Sequence, residues 1–592
     1  MWYRRQGLIS VLAGGVILSL LSGCVDDGVD GLAGQPGQAT QVIALNQIGR
    51  TVPQGFGVSA AEIVAFDSIN QRLFAVNAQS GEVDVFNTAS VENMAIDKDI
   101  SLNMGDMLLA AEVVSDVGEV GAANSIAVRG ELAAVAVEAN PKTDNGWVVF
   151  LNVTDFSFVI AVEVGAQPDM VAFTPDGSKV LSANEGEPNE GYSIDPEGSV
   201  SVITVADFSV VHIGFTDFNA DAANTRFAEL DLNRMVLDGY NASVAQSLEP
   251  EYIAFNADGS KAYVAMQENN AIAVLDLSDN SVESIMGLGF KDHSIPGNEM
   301  DAGDADGGVR IKSWPVMGIY MPDSITSMTY NGNTYLLTAN EGDSREDFLI
   351  PIIDQASCES AGYYVHGGEC VDEVRVKHLV SRAGLTLGAA LIGLDGDDNL
   401  GRLKASYHTT RIMNGNDRAD GTEKSSPINT VYAYGARSFS IWNMETGEQV
   451  FDSGNDFERL TAMRYGAQFN MSNTGNAGDS RSDDKGPEPE AIITGKINGY
   501  TYAFIGLERM GGIMVYDVSN PYAPRYVQYV NNRDLSISAS AVSADAGDLG
   551  PEGLAFVSAS DSPNGKPLLM VGNEVSGTVA IYEINVSSLQ AE

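Results

Sequence analysis

Cysteine, histidine and basic side chains are all scarce in this 592-residue chain. The cysteines are Cys24, Cys358 and Cys370. No Cys-x-x-Cys-His motif occurs, which excludes covalent haem, and Cys358 and Cys370 have no further soft ligands beside them for a tetrahedral zinc. The five histidines (His212, His293, His366, His378, His408) are scattered and show no metal-ligand spacing. Lys and Arg number 33 against 80 Asp and Glu, a formal charge of -47. That balance excludes a nucleic-acid binder, which needs a basic face for phosphates. Neither a G-x-S-x-G elbow nor a Walker loop is found. Beyond the N-terminal segment there is no apolar run of about 20 residues, so no second membrane span is expected.

The N-terminal segment reads as an export signal. Arg4 and Arg5 precede an apolar stretch from Leu8 to Leu20, and Leu21-Ser22-Gly23-Cys24 matches a bacterial lipoprotein cleavage box. Residues 1–23 are thus expected to be a signal peptide and Cys24 the lipidated first residue, anchored by several acyl chains. Val25 follows, in place of an inner-membrane retention Asp, which points to the outer membrane of a Gram-negative cell, on its periplasmic or surface face. Residues 24–40, with Gly28, Gly31, Gly34 and Gly37, form a Gly-rich tether too short for a collagen helix. In an exported chain, Cys358 and Cys370 are expected to pair as a disulfide.

One phrase recurs through the rest: Pro-acid-x-hydrophobic-Ala-Phe, a turn, then an apolar run ending near Asn-Glu. Pro168-Asp169 leads to Asn184-Glu185, Pro250-Glu251 to Gln267-Glu268, Pro322-Asp323 to Asn340-Glu341, and Pro551-Glu552 to Asn573-Glu574. Asp176-Gly177, Asp258-Gly259 and Asn331-Gly332 mark tight turns between the apolar runs. Short β units repeated in this way predict an all-β fold, a β-propeller of seven or eight blades of the WD40 or YVTN kind. Eight hairpin units can be counted, but the one at residues 431–451 lacks the Pro-acid opening. The segment 41–48 is expected to supply the last blade's missing strand and close the ring, since closure removes exposed edges. One propeller domain then spans 41–592, with insertions near 218–248, 290–312 and 347–372. The stretch Phe227 to Ser247 reads as helical.

In a propeller the repeated acids converge on the central channel. Asp169, Glu251, Asp323, Glu490 and Glu552 form one expected ring, and Glu185, Glu268, Glu341, Glu508 and Glu574 another. Clustered carboxylates repel unless a cation sits among them, and all-oxygen sites suit Ca²⁺ or Mg²⁺. Two stretches, 340–347 and 479–490, are densest in acids, and both carry an arginine. With Leu507-Glu508-Arg509, they add Asp343, Asp484 and Glu488 to the candidate metal ligands and make Arg345, Arg481 and Arg509 candidate anion clamps, with structural Arg–carboxylate bridging between blades the leading alternative for any one arginine. Asp301, Asp304 and Asp306 alternate before Gly307-Gly308, but no Glu closes an EF-hand there; a solvated loop is expected, with a structural Ca²⁺ as the alternative.

The runs SWPVMGIYMPDSI and YLLTANEGDSRE (313–346), EVRVKHL (373–379), GARSFSIWN (435–443), FDSGNDFE (451–458), DSRSDDKGPEPEAI (479–492) and TYAFIGLERMGGIMVYDVSNP (501–521) resemble the choice-of-anchor I family. YVQYVNNRD (526–534) and the phrases from 547 to 584 extend the resemblance over roughly residues 45–585. It implies an exported bacterial propeller on a surface anchor, here a lipid. Some members are labelled alkaline-phosphatase-like. The family's acidic phrases fall on Glu185, Glu341, Asp343, Asp484, Glu488, Glu490, Glu508, Glu552 and Glu574, while the Cys358–Cys370 insertion departs from it and is placed to reshape one channel mouth.

Two functions follow as expectations. One is a lipid-anchored binding or scaffold module that holds divalent cations and meets an extracellular or periplasmic protein. The other is a Ca²⁺- or Mg²⁺-dependent phosphohydrolase acting on a phosphoester at the channel mouth. A cofactor-dependent dehydrogenase rests on fold analogy alone.

Overall fold

The computed structural model describes residues 41–221, 224–345, 350–351, 355–416, 426–538 and 542–588. The signal segment, Cys24, the tether, and Glu346 and Asp347 lie outside these. Residues Ile43–Val586 make up one compact unit.

Seven four-stranded sheets hold most of the described strands. The first four are local meanders. They begin with Ala60–Asp67, Val120–Arg129, Pro168–Phe173 and Ile253–Phe255, and each pairs with the next three strands in turn. The sixth runs in the same way from Pro489–Ile497 to Arg525–Val530. The seventh joins Pro551–Val557, Leu568–Asn573 and Thr578–Ser588 to Gln41–Arg50, the N-terminal strand expected to pair there.

The fifth sheet is assembled from distant pieces. Ile325–Tyr330 and Asn333–Asn340 pair with Ser438–Asn443 and Glu448–Asp452. The hairpin at 431–451 is therefore not a unit of its own. Its Trp442 pairs with Leu336, while Val431–Tyr434 runs parallel to Val316–Ile319 in a smaller sheet. The excursion between Asn340 and Ser438 carries the Cys358–Cys370 disulfide and a two-stranded pair, Glu373–Arg375 with Lys404–Ser406. It leaves and returns where Gly342 and Gly435 touch. A Cβ on Gly342 would lie 2.0 Å from the Gly435 nitrogen, and both glycines have positive φ.

Apolar side chains pack between neighbouring sheets. Phe74, Val76 and Val83 of the first meet Val135 and Val149 of the second. The pattern continues sheet to sheet, and Leu568 and Met570 of the seventh pack with Leu73 and Phe86 of the first. Both faces of a middle strand are thus covered, so runs such as Ala262–Met266 are buried throughout and read as unbroken apolar sequence. The opening strands lie side by side, Ala60–Asp67 touching both Val120–Arg129 and Pro551–Val557.

The stretch from Phe227 to Ser247 is not one helix. Only Arg226–Glu229 (3₁₀) and the single α-turn Val244–Ser247 are helical. Asp231, Asn233, Gly239 and Asn241 interrupt it, while Leu230, Met235 and Val236 are buried in the body. The Asp301 loop is not solvated either. Asp301 and Asp306 are buried, and the Glu458 carboxylate accepts from the Asp301 backbone N–H at 2.8 Å. Asp304 instead holds Arg402, its Oδ2 accepting from Nη2 at 2.9 Å.

The Asn of the repeated Asn-Glu is a structural clasp. Asn340 Nδ2 donates to Ser440 Oγ (2.9 Å) and Ser438 Oγ (3.2 Å), and its Oδ1 accepts from Thr338. Asn184 repeats this with Ser199, Ser201 and Ser182. The clasp ties the second strand to the third and fixes the direction of the glutamate that follows. Asn340→Ala leaves these buried hydroxyls short of partners, and urea unfolding is expected to register a loss of roughly 1–3 kcal/mol.

Candidate functional site

Most of the acid-bearing opening strands begin with an irregularity. The residue before the acid, or before its proline, has a left-handed φ in Ala61 (109°), Gln167 (49°), Met321 (42°), Glu488 (51°) and Gly550 (69°). Register shifts follow at Ala60/Val64, Pro168/Met170, Pro489/Ile492 and Pro551/Leu554. Such bulges re-aim side chains at strand ends. The glutamates closing the second strands are tied back to the same points: Glu185 N–H donates to Gln167 O, Glu508 to Glu488 O and Glu574 to Gly550 O.

These devices converge the acids. Asp323, Glu341, Asp343, Glu373, Asp484, Glu490, Glu508, Glu552 and Glu574 line one cavity of about 420 Å³, together with Lys404, Arg481, Lys485 and Arg509. Asp323 and Glu552 also line a neighbouring cavity of about 240 Å³ with Glu62, Asn124, Glu138 and Asp169. Glu373, Lys404 and Tyr434 come from the fifth sheet's excursion, which therefore shapes the cavity, while no described residue of the Cys358–Cys370 insertion lines it.

Among the described residues, three groups each bring three carboxylate oxygens within 4.8 Å of one another: Glu62–Glu552–Glu574, Glu185–Glu251–Glu268 and Glu341–Glu488–Glu508. They are not alike electrostatically. Glu488 is fully buried and shared by three cations. Its Oε1 accepts from Arg481 Nε (2.9 Å) and Nη2 (2.8 Å), its Oε2 from Arg509 Nε (3.0 Å), and Lys485 Nζ lies 3.5 Å away. Lys485 also reaches Glu341 (2.8 Å) and Asp343 (3.4 Å), and Arg509 reaches Glu508 (2.6 Å). Burial alone would raise Glu488, but Lys485, Arg509 and Arg481 hold it at about 2.

Among the described residues the other two groups show no ion pair with a base; Arg509 acts on Glu574 and Arg345 on Glu268 only through longer-range charge. Burial, then Glu574, pushes Glu62 up to about 8. Burial, then Glu62 and Glu574, drives Glu552 well above the usual carboxylate range. Burial with Glu268 does the same to Glu251, and burial with Glu187 to Glu185. Glu490, raised by burial, Glu508 and Glu341, faces the cavity with Oε2 unpartnered, as does Glu552.

The expected anion clamps are all engaged by carboxylates. Arg481 bridges Glu488 and Asp484 (2.8 Å), and Arg509 bridges Glu488 and Glu508. Arg345 does not line the cavity; it is buried against Glu249 at 2.5 Å and Ser247 O. Asp484 additionally holds Lys404 at 3.2 Å. Sequence reasoning missed Glu62, Asn124 and the cations Lys485 and Lys404. Glu62 opens EIVAF (62–66), the same phrase as Asp169 in DMVAF (169–173), with Ala61 where the proline would be.

Glu488→Gln would leave three cations without their shared acid. It is expected to cost about 3–5 kcal/mol in denaturant unfolding, the range for breaking a buried pair. Because the folded carboxyl titrates near 2, below its ordinary 4.5, its contribution is present above that ordinary value. It is lost as pH falls toward 2, so the difference between wild type and variant should shrink over that window.

Two animal proteins are similar in sequence. Gigasin-3a of Magallana gigas is 29% identical over 197 residues, covering 32% of this chain and 66% of that protein. A mesenchyme-specific cell surface glycoprotein of Strongylocentrotus purpuratus is 26% identical over 336 residues, covering 53% of this chain and 41% of its own. The chain thus spans less than two thirds of each of these relatives. Among solved structures, the Kuenenia stuttgartiensis hydrazine synthase aligns over 90% of this chain and 97% of its own at 10% identity and a TM-score of 0.40, too loose a likeness to bear on function. The choice-of-anchor I domain model matches residues 62–521. With most of its length so matched, and with three of the four repeated acidic phrases inside that span, the chain belongs to the choice-of-anchor I domain family.

Proposed function

We propose that this protein is a surface-associated binding module, a closed propeller of seven blades whose acid-lined channel holds divalent cations, Ca²⁺ or Mg²⁺. Its family and the cell-surface description of one relative support the location. The circuit of opening strands, with the first sheet packed on the seventh, supports the ring. The lipid on Cys24 would tether it to the outer membrane. Among the described residues no helix is long and apolar enough to cross a membrane.

The observation that carries cation binding is the imbalance of the cavity. Nine carboxylates face four basic groups, the Glu62–Glu552–Glu574 group has no basic member, and the Glu490 and Glu552 oxygens lack partners. Hard divalent ions satisfy such oxygen sets. Phosphoester hydrolysis draws less support, because Arg481 and Arg509 both close on Glu488.

The test is calorimetric titration of the chelator-treated full chain with Ca²⁺ and with Mg²⁺, alongside thermal melts. Ion at about 100 times Kd should stabilise by about 2.7 kcal/mol, and Glu62→Gln with Glu574→Gln should weaken binding at least tenfold, about 1.4 kcal/mol. Absence of both heat and stabilisation with either ion would end this reading. For the anchor, Cys24→Ser should move the protein from the detergent phase to the aqueous phase on phase partitioning. An unchanged distribution would remove the lipid.

A further inference from the structure

A second group of acids stands outside the 420 Å³ cavity. Glu185 follows the second strand of the third sheet, Glu251 precedes the first strand of the fourth, and Glu268 follows that sheet's second strand. Their exposures are 8%, 7% and 7%. One oxygen from each lies within 4.8 Å of the others. Glu251 Oε2 and Glu268 Oε2 are buried without a hydrogen-bond partner.

The basic groups nearby form their ion pairs outside the trio, although Arg345 also attracts Glu268, Lys142 attracts Glu185, and Gln167 Nε2 donates to Glu185 Oε2. Lys142 pairs with Glu187, and Arg345 pairs with Glu249. Five carboxylates therefore share two bases in this region. An unpaired buried oxygen carries a large desolvation cost, more so when charged. Two such oxygens converging with a third carboxylate are placed as ligands would be.

We propose that Glu185, Glu251 and Glu268 form a distinct, enclosed cation site that takes one Ca²⁺-like ion and bridges the third and fourth sheets. An all-carboxylate set with no His or Cys selects a hard ion over zinc or copper. Opposite ligands on Ca²⁺ lie about 4.6–5.2 Å apart, twice the metal–oxygen length, so three oxygens within 4.8 Å suit it. Mg²⁺ demands a tighter octahedron and retains its waters, which an enclosed trio of long side chains serves poorly. The inference deepens the cation-binding reading of the channel but rests on different residues.

The test uses the full chain, stripped with chelator, re-equilibrated with Ca²⁺ alone and assayed for bound ion after gel filtration. Glu251→Gln and Glu268→Gln should each bind about one ion fewer than wild type, while Glu574→Gln keeps this ion. Wild-type stoichiometry in both variants would overturn the proposal. Should neither variant fold, wild-type crystals soaked in Tb³⁺ decide it. An anomalous peak among the three carboxylates supports the site, and flat density there refutes it. Loss of ion in Glu574→Gln alone would leave the channel reading standing and this one fallen, and the converse pattern separates them the other way.

Discussion

Apolar packing between neighbouring sheets is the constraint from which the rest follows. Each sheet buries one face against the sheet before it and the other against the sheet after it. The hydrophobic interior is therefore divided among the spaces between sheets. The innermost strand openings are left for polar groups, and there the acids gather. Packing supplies the stabilisation that lets like charges be held this close.

Three solutions to that crowding coexist. Around Glu488 the chain supplies its own counterions, Arg481, Lys485 and Arg509. At Glu62, Glu552 and Glu574 it supplies a hydroxyl, from Ser59 to Glu574, and the more distant charge of Arg509. Between the third and fourth sheets the nearest bases are spent on Glu187 and Glu249. Basic residues are few in this sequence, and the four that line the 420 Å³ cavity include the three that surround Glu488. That uneven distribution separates an internally neutralised patch from regions that call for an external ion.

The repeated phrase made both the sheet pattern and the acid positions readable. Pro-acid and Asn-Glu mark two adjacent strands of a sheet: Asp169, Glu490 and Glu552 sit at the start of an opening strand, and Glu185, Glu341, Glu508 and Glu574 directly follow a second strand. What escaped it depended on distance or on degenerate signal. Glu62 lacks the proline, and Asn124 lacks the charge. The hairpin near 431–451 looked autonomous because its partner strand lies far upstream. The helical reading of 227–247 followed composition, which tertiary burial of Leu230, Met235 and Val236 overrode. The composition of 479–490 allows Arg–carboxylate bridging, but nothing local singles out Glu488, which has a left-handed φ, as the partner of Arg481.

The split fifth sheet has a kinetic consequence. Its central strands are joined by contacts such as Asn340 to Ser438, 98 positions apart, while the first four sheets and the sixth each form from contiguous chain. Closing so long a loop carries an entropic cost that local hairpins avoid, and non-local pairing slows folding. The half-sheet Ile325–Asn340 presents a bare edge until the excursion has folded and returned Ser438–Asn443 to it. During that interval the chain holds an open edge beside its most acidic region, whose charge discourages a second molecule from pairing there.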